Sequence, residues 1–126
     1  MVSLGCSASF IGLDEAKANL ETGISLAAET EMFLTFVAEG KSTPDFAKGH
    51  IAYLEQEVES MQKQLGQSPP EPSASELVGE YRAQLVVLRH ELLRFPASME
   101  DKNQWLTSRA RISAVRKKLE DIRSAR

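Results

Sequence analysis

Apolar residues recur three and four places apart in four successive stretches of this chain, the spacing of one helical face. In the first, Leu13, Leu20, Ile24, Ala27 and Leu34 make a stripe that Leu26, Phe33 and Val37 widen. Met32, Phe33, Leu34, Phe36 and Val37 are apolar nearly all round, so the end of this helix is expected to be its most buried part. The second stretch carries Ala47, Ile51, Leu54, Val58, Met61 and Leu65. The third carries Val78, Tyr81, Leu85, Leu88, Leu92 and Phe95, and the fourth Trp105, Ser108, Ile112, Val115, Leu119 and Ile122. Beta-branched residues never cluster, which leaves a sheet little to build from.

The punctuation between the stretches fixes their limits. Asp14 and Glu15 suit a helix start, where the macrodipole favours negative charge, and Gly40 suits a C-terminal cap. Thr43-Pro44-Asp45 reads as cap, first-turn proline and an acid for the dipole, and Gly66 closes that helix. Gln67 to Ser73 holds Pro69, Pro70 and Pro72 and reads as an extended, solvated linker. Ser73 with Glu76 spells a capping box, and Ser98 with Asp101 a cap for the last helix after Pro96. The expected layout is a flexible N-terminus over 1–10 and a single helical domain over 11–126. Its helices lie at about 12–39, 44–65, 76–95 and 99–125, with a Pro-rich linker at 66–75. Short connections imply antiparallel neighbours, so the predicted fold is all-α: a four-helix bundle or two packed antiparallel helical hairpins with coiled-coil-like seams.

Composition agrees: at 42% apolar and 26% charged, these 126 residues read as one soluble globular domain. The net charge of −3 hides a split. Residues 1–68 carry ten acids against four bases, and residues 69–126 carry eight against eleven. One reading is that an acidic first half neutralises a basic last helix within one fold. The others are an acidic protein partner, a nucleic acid or an anionic membrane. Cys6 is the only cysteine, which excludes an internal disulfide. Leu4-Gly5-Cys6 superficially resembles a lipoprotein cleavage site, yet the preceding residues offer no basic segment or apolar run. The stretch from Ile24 to Ala38 is broken by Glu29 and Glu31 and is too short for a bilayer. A soluble, intracellular protein is expected.

Signatures of chemistry are missing. Neither His50 nor His90 has the glutamate three residues earlier that a di-iron bundle needs, so no metal and no cofactor is expected. There is no phosphate-cradling glycine loop and no nucleophile elbow, and Glu55, Glu57 and Glu59 read as an acidic helix face. Pro69 and Pro72 formally spell a PxxP ligand without the flanking arginine. The chain is read as a non-enzyme with no small-molecule substrate.

The residues that suggest a function lie on the last helix. Lys102, Arg109, Arg116 and Arg123 recur every seven residues along one edge of its apolar seam, with Arg111 and Lys118 on the other. Such a stripe suits a helix whose own edges are acidic. Trp105, Arg109, Arg111, Ile112, Arg116, Lys118, Leu119 and Arg123 are therefore the candidate partner-binding set. Trp105 is either core or an exposed anchor, since tryptophan and arginine are enriched in interface hot spots. Glu31 on the first seam, like Lys17 nearer its start, either reaches water from a wide stripe or, in Glu31's case, pairs with a cation of the fourth helix and fixes register.

The leading expectation is a helical protein–protein interaction: an adaptor or structural subunit whose partner is another helical protein, acidic at its flanks, or a second copy. An alternative is a small chaperone or regulator holding a partner helix in a groove around Phe33, Phe36 and Trp105. A nucleic-acid or anionic-membrane binder acting through the basic helix is disfavoured. The chain is acidic overall and aromatic residues do not interleave with the cations.

Overall fold

The computed structural model describes residues 10–95 and 101–125. Four long helices account for most of them: α1 (Leu13–Ala38), α2 (Pro44–Gly66), α3 (Ser75–Arg94) and α4 (Lys102–Ala125). They pack against one another as an all-α bundle, and no strand occurs among the described residues. Contacts between neighbours run in opposite chain order. Arg109, Arg116 and Arg123 of α4 meet Thr35, Glu31 and Glu21 of α1. Tyr81 and Arg89 of α3 meet Met61 and Glu55 of α2. Each helix is therefore antiparallel to the next, the up-down-up-down arrangement that short loops favour. The most extensive contact joins α1 to α4, whereas α2 and α4 do not meet among the described residues.

Local chemistry explains most helix ends. Gly40 adopts φ 75°, and the Gly40 and Lys41 amides donate to the carbonyls of Val37 and Phe36, closing α1 in a Schellman motif. The Thr43 hydroxyl accepts from the Phe46 amide at 3.2 Å, and Pro44 opens α2. The expected capping box at Ser73 and Glu76 does not form. Pro72–Ala74 make a 3₁₀ turn instead, and Ala74, at the cap position of α3, brings no side-chain cap. Asp101 caps α4, its carboxylate accepting from the Asn103 amide at 2.9 Å. Ser98, residues 1–9 with Cys6, and Arg126 lie outside the described residues.

All six α2 seam residues are buried, as are Ile112, Val115, Leu119 and Ile122 of α4. Each such aliphatic side chain stabilises the fold by about 1.5–3 kcal/mol. Leu77 and the acid Glu91 join the expected face of α3. One expectation for α1 needs correction: Phe33, Leu34 and Val37 are buried, but Met32 and Phe36 point outward. A helix inside a four-helix bundle has a solvent side along its whole length, so an apolar run cannot be covered all round.

The linker is extended at Glu71 and turns at Pro72–Ala74, and it is not a free spacer. The Ile11 amide donates to the Pro69 carbonyl at 2.9 Å, and the Glu71 amide donates to the Ile11 carbonyl at 2.8 Å. This isolated parallel bridge presses Ile11 into the core beside Ala74, which is also buried. The segment before α1 is thereby tied to the connection between α2 and α3.

Candidate functional site

The basic edge of α4 finds its acids inside the molecule. Arg116 Nε donates to Glu31 Oε1 at 2.7 Å, and the same guanidinium reaches Glu120, one turn on, at 3.1 Å. Arg123 meets Glu21 at 3.1 Å, and Arg109 donates to the Thr35 hydroxyl at 3.2 Å. The bond from Arg116 holds the Glu31 carboxyl below the usual carboxylate range despite its partial burial, and Ser113 and Arg109 act in the same sense. Two of the four heptad cations, Arg116 and Arg123, thus find acids on α1 of the same chain.

The candidate residues consequently divide. Ile112 and Leu119 are core residues, so they present no open face. Arg109, Arg116 and Arg123 are engaged with α1, and Arg111 reaches the buried carboxylate of Glu91 at 3.5 Å. Lys118 stands on the border of a shallow cleft between α3 and α4, near Glu80 and Asp121. Trp105 is half-buried with its ring centroid 6.0 Å from that of Phe95, and its indole N–H has no hydrogen-bond partner among the described residues. Phe33 belongs to the same core cluster that Trp105 packs against, and Phe36 is exposed on α1. The physical reason is common to all of these: α4 spends its seam and one charged edge on closing the bundle.

A second surface was not singled out by sequence reasoning. Along the junction of α1 and α2, the buried ring of Phe33 lies 4.5 Å from the His50 imidazole and 6.1 Å from Phe46. His50 stacks on Phe46 at 5.7 Å with planes 9° apart and touches Tyr53 at 5.6 Å. Its Nε2 lies 3.5 Å from a Glu29 carboxylate oxygen. Phe46, Tyr53, Met32 and Phe36 are exposed by 55, 46, 70 and 39%. Phe46 and Tyr53 are thus exposed apolar rings beside this junction, and Met32 and Phe36 are exposed on α1. The signal was present in the spacing: residues 46, 50 and 53 fall at i, i+4 and i+7, one face of a helix beside the buried seam.

Comparison with known proteins gives no match: no family model, no curated protein and no solved structure aligns with this chain.

Among the described residues, no group of three or more histidine, cysteine, aspartate or glutamate side chains is placed to hold a metal ion. No described helix is long and apolar enough to cross a membrane. An open cleft of about 350 Å³ between α3 and α4 carries charges of both signs, Glu80 and Asp121 with Lys118. What the arrangement offers is apolar and aromatic contact area on a rigid pair of helices, with a histidine and a carboxylate at its edge.

Proposed function

We propose that this protein is a non-enzymatic helical interaction protein, an adaptor or structural subunit, and that it engages its partner through the α1/α2 junction rather than through α4. The observation that carries this reading is the exposure of Phe46 and Tyr53 on either side of His50, over the buried ring of Phe33, with Met32 and Phe36 also exposed on α1. Aromatic residues and methionine are the types enriched at interface centres, because each buries a large area at low entropic cost. Contiguous apolar surface of this kind on a folded domain marks an interaction site. The α4 arginines lend support: Arg111, Arg116 and Arg123 already lie against Glu91, Glu31 and Glu21, which leaves Lys102, Lys117 and Lys118 as the exposed cations of that helix outside those pairs.

Site-specific photocrosslinking tests it. A benzoylphenylalanine at Tyr53 is expected to give one discrete adduct with another protein in the producing cell. The same probe at Ala114, exposed on α4, should give none. Adducts from Ala114 but not from Tyr53 would return the interface to the basic helix.

A further inference from the structure

The charges bordering the aromatic strip point to the chemistry of what it binds. Glu29 lies on the α1 side, half exposed beside His50. Glu57 lies on the α2 side, one turn beyond Tyr53 and on the same face. The cations of α2 are elsewhere: Lys48 borders the cleft toward α3, and Lys63 lies by Glu59, itself tied to Arg89 of α3. Lys41, in the loop past Phe36, is held by Glu39 at 2.9 Å. The strip is apolar in the middle and acidic at both sides.

Its length fits a helix. From Phe46 to Tyr53 is seven residues of helix, about 10 Å at 1.5 Å per residue, the distance between anchors at i and i+7 of another helix. Met32 and Phe36, one turn apart and both exposed, add apolar area on the neighbouring helix α1. Exposed rings on α2 over the buried Phe33 of α1 make an apolar strip along the helix pair, of the kind that accepts one apolar helix face.

Resting on the interaction reading above, we propose that the α1/α2 strip docks a single amphipathic helix of another protein, with aliphatic or aromatic anchors at i, i+4 and i+7 and with lysine or arginine at its flanks. Charge complementarity selects this occupant. A second copy is disfavoured, since a symmetric contact through the strip sets Glu29 and Glu57 against their own counterparts. The heptad arginines that might answer those acids already face α1. An anionic lipid surface meets the same acidic border.

The test is a display library of 20-residue helices with leucine fixed at i, i+4 and i+7 and the flanking positions randomised among Lys, Glu, Ser and Ala. It is selected on the full-length chain. Enrichment of lysine at the flanks is expected, with selected peptides losing at least tenfold in affinity on a Phe46→Ser/Tyr53→Ser variant whose melting is unchanged. A Glu29→Lys/Glu57→Lys variant should invert the preference to glutamate flanks. Enrichment of glutamate on the native protein, no enrichment, or binding indifferent to Phe46 and Tyr53 overturns the proposal. So does self-association, or binding to phosphatidylserine vesicles, that the Phe46→Ser/Tyr53→Ser variant abolishes. Adducts from Tyr53 in the cell together with glutamate-flanked peptides would reject this inference alone and leave the interaction reading standing.

Discussion

The ring of Tyr81 occupies the space that a side chain at Gly23 would need. A Cβ built on Gly23 lies 2.6 Å from Tyr81 Cε1 and 2.9 Å from the phenol oxygen, which donates to the Asn19 carbonyl at 2.7 Å. Position 23 thus admits α3 close to α1 across the bundle diagonal, and the phenol is satisfied by α1 backbone.

Gly23→Ala should destabilise the protein by up to about 2 kcal/mol. Overpacking costs about 1–3 kcal/mol, and the helical preference of alanine over glycine returns about 1. Tyr81→Leu in the same chain removes the clash, so the two changes should couple favourably in a double-mutant cycle followed by urea denaturation. Strict additivity would mean that the two positions do not compete for space.

Alkaline pH tests the same contact. Burial pushes the Tyr81 phenol well above its ordinary value of about 10. Above that pH the unfolded chain releases a proton that the folded chain retains, so stability falls as pH rises. Tyr81→Phe should lose about 1 kcal/mol near neutrality, the net worth of one hydrogen bond. Its stability should then fall less steeply than the parent's between pH 9 and 11, as urea midpoints across that range would show.

Glu31 acts at the other end of the scale. Its carboxyl titrates lower in the folded protein, chiefly because Arg116 donates to it. The stabilisation is present above the unfolded value of about 4.3 and is lost as pH falls through the lower folded value. Glu31→Gln should therefore cost about 1 kcal/mol at pH 7, the pair being partly solvated, and flatten the acid side of the stability profile. An acid limb unchanged by the substitution would place the pH dependence on other carboxylates.

Reversing the heptad edge makes a sharper version. Arg109, Arg116 and Arg123 exchanged together for Glu bring like charges against Glu21 and Glu31, and a loss of about 2–3 kcal/mol is expected, most of it at the better-shielded position 116. Adding Glu21→Lys and Glu31→Lys should restore much of that loss. Thermal melts of the triple and quintuple variants measure both steps.

The clasp between Ile11 and the linker separates side-chain from backbone effects. Ile11→Ala should cost about 2–3 kcal/mol, the range for truncating a buried aliphatic residue. Exchanging Pro69, Pro70 and Pro72 for Ser keeps the carbonyl that Ile11 uses and should cost about 1 kcal/mol through the unfolded chain. Amide exchange at Glu71 should speed up with the first change and stay slow with the second.

Much of the fold was legible because a bundle reads one helix at a time. The α2 seam needed only its own spacing, and so did Ile112, Val115, Leu119 and Ile122 of α4. Glu91 was not legible: its burial depends on Arg94 and Arg111 arriving beside it, and apolar periodicity has no sign for a buried acid. Ile11 belongs to no periodic run, so nothing local announced its bridge to the linker. The cations of α4 were visible as a demand for acids, but which acids answer is a question of which helices are neighbours. Met32, Phe36, Phe46 and Tyr53 show the converse, since hydrophobicity alone does not say which side of a helix meets water.

The pairing of α1 with α4 also orders events during synthesis. Glu31 and Arg116 are separated by 85 positions, and the widest contact in the bundle joins the first helix to the last. A growing chain that has emitted only α1, α2 and α3 carries Ile24 on a face with no cover, beside the carboxylates of Glu21 and Glu31. Chain translated through Arg94 is therefore a sticky intermediate with an acidic margin, and sealing waits on the final helix. Chain that has emerged only through Arg94 should present that open flank to holdases, whereas chain in which Ile122 has itself cleared the ribosome should not.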